Sequence, residues 1–112
     1  MTRLDSEVQR FVDEHPDGWS HEDWGYFLAQ LSANQVDITD VDQVGARLEA
    51  ERLRRVLLTA GVDGLGPKRV DAIVEKFGSV WNLRQAHAEQ VASIPTIPRR
   101  LAEETISRLT MR

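Results

Sequence analysis

Apolar residues recur three and four positions apart along nearly the whole chain, and no segment alternates with period two for long enough to predict a strand. Leu4, Val8, Phe11 and Val12 share one face of a predicted helix over residues 3–14, which stops ahead of the turn His15-Pro16-Asp17-Gly18. A second start signal comes next. Ser20 stands at a cap position, Asp23 completes a capping box three residues later, and Trp19 and Trp24 occupy the two positions of a hydrophobic staple. Trp24, Phe27, Leu28 and Leu31 mark one face of a helix ending near Ala33. After the turn "NQVDI", Thr39 or Asp40 caps a third, longer helix whose apolar stripe changes side. Val41, Val44 and Leu48 form one stripe; Ala46, Ala50, Leu53, Leu57 and Ala60 form another, displaced around the axis. The first half is therefore expected to pack on the N-terminal helices and the second half on the elements beyond Gly61, which makes this helix a bridge between two lobes.

Beyond Gly61 the elements shorten. Val70, Ile73, Val74 and Phe77 predict a helix from about Pro67 to Lys76, ended by Gly78, and Ser79 caps a further short helix carrying Val80, Trp81, Leu83 and Ala86. A short piece around Val91 and Ile94 leads to "IPTIP", and a last helix from about Arg99 turns Ala102, Ile106 and Leu109 inward. The spacing places Trp19, Trp24 and Trp81 in core or staple positions, not on a base-stacking platform. The expected class is all-α, in a chain of 112 residues that suits one domain or two small helical lobes sharing a long element.

The stretch "GVDGLGPKRV" (residues 61–70) concentrates three glycines and a proline between two helices. Glycine fits where φ is positive or where another backbone comes close, and Leu65, between Gly64 and Gly66, can plug into the core. Pro67 suits the first helical position. The turn thus ends in a helix N-terminus with free amides and partial positive charge. Lys68 and Arg69 add cations where the dipole prefers carboxylates, an arrangement that fits an anion.

Net charge is −4, but residues 1–60 hold twelve acidic and six basic residues, a net −6, whereas residues 61–112 hold six acidic and eight basic, a net +2. The two halves are expected to face different partners. With no cysteine, disulfides, thiolate metal sites and cysteine nucleophiles are excluded. No apolar run approaches the roughly 20 residues of a membrane span, and the polar opening "MTRLDSEVQR" has no leader pattern, so the expected address is the cytoplasm, away from membranes.

The segment "LLTAGVDGLGPKRVDAIVEKFGSVWNL" resembles the first helix-hairpin-helix motif of the tandem domain at the C-terminal end of UvrC-type excision-repair nucleases, and the likeness continues into "AHAEQVASIPTIPRRLAEETI". It covers residues 52–112. Gly64-Leu65-Gly66 matches the hairpin, Lys68 and Arg69 its basic residues, Ile73 the buried position on the second helix, and Phe77-Gly78-Ser79 the link onward. Thr96-Ile97-Pro98 falls at the second hairpin, 32 positions after the first. Periodicity and charge give an acidic helical lobe (1–45), which resembles no known family, joined by a long helix to residues 46–112, where the resemblance implies a tandem helix-hairpin-helix, SAM-like, domain. The resemblance also implies sequence-independent binding of the DNA phosphate backbone through Gly64, Leu65, Gly66, Lys68, Arg69, Thr96, Arg99 and Arg100, in the setting of DNA repair or recombination, with one hairpin per strand.

Departures from the family sit mainly in the second hairpin. Both glycines are absent there: Thr96 resists positive φ, and Pro98 has no N–H and restricts Ile97. Val70 replaces the usual alanine, and His87 a Ser or Thr cap. The first hairpin is expected to bind through its amides, the second mainly through side chains or not at all. A competing reading is a protein-interaction module or homodimer with degenerate hairpins and no DNA binding, its acidic N-terminal lobe docking a partner. "DEHPDGWSHEDW" collects five carboxylates and two histidines at a helix end, a turn and a helix start, where acids serve as caps and the intervals match no helix-borne metal pair. "VDITDVD" lacks the glycine and distant glutamate of a calcium loop. No nucleophile elbow, phosphate-binding loop or catalytic carboxylate pair is present, so neither enzyme activity nor a cofactor is expected.

Overall fold

Residues 3–110 are described by a computed structural model; Met1 and Thr2 of the polar opening lie outside them, as do the last two residues. Among the described residues there are seven helices and no strand: α1 (Arg3–Glu14), α2 (His21–Ala33), α3 (Val41–Thr59), α4 (Pro67–Phe77), α5 (Val80–Gln85), α6 (Ala88–Ala92) and α7 (Arg99–Thr110). The class is all-α. None of these helices is long and apolar enough to cross a membrane. The chain divides into two compact units, Met1–Arg52 and Leu53–Arg112.

In the first unit the start of α2 is written by side chains. The Ser20 hydroxyl accepts from the Asp23 amide and the Asp23 carboxylate accepts from the Ser20 amide, both at 3.1 Å. That backbone hydrogen bond to Ser20, with the Ser20 side chain second, holds the Asp23 carboxyl below its ordinary value. Phe11 centres the core, with ring centroids 4.2 Å from His15, 4.6 Å from Phe27 and 5.2 Å from Trp19. Val8, Val12, Leu31, Val44 and Leu48 complete the buried set, with Trp24 packed at its edge. Of the two candidates for capping α3, Asp40 does it, its carboxylate accepting from the Gln43 amide at 3.2 Å.

α2 ends in a Schellman turn. The Gln35 amide donates to the Ser32 carbonyl (3.1 Å) and the Val36 amide to the Leu31 carbonyl (2.9 Å), while Val36 packs back on the core. This geometry puts Gln35 at φ 59°, the one non-glycine residue in the left-handed region among those described.

The second unit is built on Leu53, Leu57, Val62, Leu65, Val70, Ile73, Val80, Leu83, Val91, Ile94, Ile97, Leu101, Ala102 and Leu109, all buried. The change of stripe along α3 is real: Val44 and Leu48 belong to the first core, Leu53 and Leu57 to the second. Three expected inward positions are corrected. Val41, the first residue of α3, is 46% exposed, and Ala46 is exposed because it lies on the far side of the helix from Val44 and Leu48. Trp81 is 68% exposed: α5 is six residues long and buries only the side carrying Val80 and Leu83, which residue 81 does not share.

A 32-residue repeat organises this unit. The Leu65 amide donates to the Val62 carbonyl (3.2 Å) and the Ile97 amide to the Ile94 carbonyl (3.0 Å); Val70 donates to Gly66 and Ala102 to Pro98, both at 3.0 Å. α4 and α7 begin 32 positions apart, at Pro67 and Arg99. The halves also grip each other reciprocally. Lys76 Nζ of the first half donates to Ser93 Oγ of the second, and Arg108 Nη1, 32 positions after Lys76, donates to the Ala60 carbonyl at 3.3 Å, beside Gly61, the counterpart of Ser93. Contacts that run from i to j and back from the equivalent of i to the equivalent of j are the mark of two-fold packing, here within one chain.

Gln35→Gly removes the left-handed penalty at the end of α2 while keeping both turn hydrogen bonds. It is expected to stabilise the chain by about 0.5–1 kcal/mol, read as a higher urea midpoint with unchanged slope.

Candidate functional site

Gly64 and Gly66 have different reasons to be glycine. Gly64 is the third residue of the turn Val62–Leu65 and has φ 88°, the positive value that a type II turn needs there. Gly66 has φ −81° and ψ 176°, extended backbone open to any residue, and a Cβ placed on it would meet nothing within 4 Å. Neither backbone strain nor packing inside the chain demands a glycine at 66. It is the N-cap of α4, makes no side-chain capping bond, and is followed by Pro67 at the first helical position. The first intrahelical bond runs from Val70 to Gly66, so the amides of Lys68 and Arg69 belong to the helix start that has no intrahelical acceptor. Gly64, Gly66, Pro67, Lys68 and Arg69 line an open depression of about 490 Å³. Leu65 points the other way, 8% exposed, into the core.

The second turn, Ile94–Ile97, reaches the same closure by another route. Thr96, the counterpart of Gly64, is not in the left-handed region, and Pro95 ahead of it presets its own φ. With φ negative at the third turn residue, the central peptide is turned over relative to the first turn. Ile97 repeats Leu65, 2% exposed. Pro98 stands where Gly66 stands, offering α7 neither a side-chain cap nor an N–H.

The basic residues separate into three kinds. Arg69 is engaged within the chain: its Nη1 donates to the Gly64 carbonyl at 2.6 Å and its Nε to the Thr96 carbonyl at 2.7 Å. Arg99 is held by acids. Its Nε donates to Glu103 Oε1 at 3.0 Å, and its Nη2 lies 3.9 Å from Glu89 Oε1. The hydrogen bond to Glu103 leads the causes that raise its pKa further above the ordinary arginine value. Lys68 and Arg100 are exposed and make no ion pair among the described residues. They are 32 positions apart, each the second residue of its helix. Arg99 and Arg100 are neighbours in sequence, and the i, i+4 spacing of Arg99 and Glu103 is the sequence signal that separates them.

No family model matches the chain, and no solved structure matches it. Curated proteins do match over about half of it. It is 44% identical over 50 residues to UvrABC system protein C of Carboxydothermus hydrogenoformans, covering 45% of this chain and 8% of that protein. It is 36% identical over 59 residues to UvrABC system protein C of Vibrio cholerae (53% and 10%) and 44% identical over 48 residues to the protein of that name from Beutenbergia cavernae (43% and 7%). The similarity is local, and the matched stretch spans a tenth or less of these relatives.

The two glycines are separable by experiment. Gly64→Ala forces a Cβ into the left-handed region and is expected to cost about 1–2 kcal/mol of stability, whereas Gly66→Ala is expected to stay within about 1 kcal/mol of the parent. Urea unfolding followed by circular dichroism measures both.

Proposed function

We propose that the second unit is a tandem helix-hairpin-helix module that binds the phosphate backbone of duplex DNA without reading sequence, and that the chain serves DNA repair or recombination as a binding protein with no catalysis of its own. The observation that carries this reading is the pairing of Lys68 and Arg100. They are cations without acidic partners among the described residues, they occupy matching positions on two helix starts that lack side-chain caps, and the two turns are related by reciprocal packing. An approximate two-fold with a cation and a helix start on each side suits a duplex, whose strands are themselves related by two-fold axes. Gly66 supports the reading further. A glycine that nothing inside the chain requires leaves room for a ligand's backbone to approach the bare amides.

The local similarity to UvrABC system protein C, over a stretch about the size of this unit, points the same way. The module would act mainly through the Lys68 and Arg100 side chains and the uncapped amides of both helix starts, Lys68 and Arg69 on α4 and Arg99 and Arg100 on α7, with Pro98 removing only the amide that Gly66 supplies at the equivalent cap. The first unit is rich in carboxylates, which disfavours a polyanion there.

Fluorescence anisotropy with a labelled duplex from about 50 to 200 mM salt tests this. Two phosphate contacts give a slope of log affinity on log salt near −1.8. Lys68→Glu and Arg100→Glu should each lower affinity by about tenfold and flatten the slope by about 0.9. Gly66→Asp is the sharper variant. An aspartate caps α4 and favours its dipole, so folding stability holds or rises by a few tenths of a kcal/mol, while the carboxylate occupies the amides and affinity falls by at least about tenfold. No binding at about 50 mM salt would instead favour a protein-interaction module.

A further inference from the structure

We infer that Arg69 is a strut between the two turns and not a phosphate ligand, and that by fixing their separation it makes the module selective for duplex over single-stranded DNA. Its guanidinium joins two carbonyls, Gly64 and Thr96, that occupy the same position in the two halves of the repeat, 32 residues apart. One rigid planar group therefore sets the distance between equivalent points of two turns, on the approximate axis that relates them. Arginine is suited to this and lysine is not: a planar fork holds two acceptors in fixed geometry, whereas an ammonium on a flexible stem is a point charge.

The counterpart of Arg69 in the second half is Leu101, 3% exposed, whose Cδ1 lies 3.9 Å from where a Cβ on Gly64 would stand. The crossing is thus made twice, by a polar tie from α4 to Thr96 and by an apolar prop from α7 to Gly64. The Gly64 and Thr96 carbonyls are thus tied to each other through Arg69, whose guanidinium is engaged inside the unit. Lys68, one residue earlier, has no such engagement among the described hydrogen bonds and ion pairs.

The consequence for DNA rests on the backbone-binding reading above. In a duplex the two strands present phosphates at a set spacing, so two contact points held rigidly at that spacing bind as one, and loosening them lowers the effective concentration of the second. A single strand bends to fit and gains little from rigidity.

The test uses the full chain. In wild type without DNA, the Arg69 Nε–H resonance should be resolved and slow to exchange with water, and it should keep its shift when duplex is added while the Lys68 and Arg69 backbone amides move. A large displacement of the Nε–H by duplex overturns the strut. Arg69→Lys, which keeps the charge and removes the fork, should move the Thr96 and Ile97 amide resonances in the absence of DNA. It should also lower duplex affinity by about tenfold while leaving single-strand affinity within about twofold. Equal loss on both substrates, or no loss on either, overturns the assignment. If wild type binds no DNA, the backbone-binding reading fails, and the exchange and shift measurements still decide whether the strut exists.

Discussion

The second unit is governed by two short helical hairpins that cannot cover their apolar faces alone. A helix stripe needs a second surface, and each half of the 32-residue repeat supplies one to the other. Leu65 and Ile97 are the plugs, turned inward by the same amide-to-carbonyl closure. Because the packing is reciprocal, fixing one turn fixes the other, and the outward surfaces of the two helix starts come to be related without any direct requirement on their sequence. Even the buried Thr105 obeys this: it sits where Ile73 sits in the first half and satisfies its hydroxyl on the Leu101 carbonyl at 2.8 Å.

Charge in this unit is decided by partners and not by count. Four arginines and lysines lie next to the two turns, yet one is tied to carbonyls and one to glutamates. The two that remain, Lys68 and Arg100, are equivalent under the repeat. A net charge of −4 for the whole chain is therefore a poor guide to what the turns present. The first unit handles its carboxylates differently, using Asp23 and Asp40 on backbone amides at helix starts.

What could be read from the sequence was what is local and periodic. The capping box at Ser20 and Asp23, the stop at Gly78, the Ser79 cap and the change of stripe between Leu48 and Leu53 each depend on residues within a few positions of one another, and each stands in the structure. Together they decided the class. What escaped was set by distant or competing partners. Its spacing places Trp81 inward, but a six-residue helix has one inner side, which Val80 and Leu83 fill. The hydrogen bond from Arg69 to the Thr96 carbonyl was not legible, because its acceptor lies 27 residues away. The turn at "NQVDI" was evident, whereas the left-handed Gln35 within it was not, since the usual glycine is missing.

The open start of α4 also ties folding to solution chemistry. Amides that lack an acceptor are exposed in this form only when the unit is folded, so any anion seated on them binds the native state and not the unfolded chain. By mass action the loaded protein is then sturdier than the empty one, and its melting temperature becomes a property of the buffer as much as of the sequence.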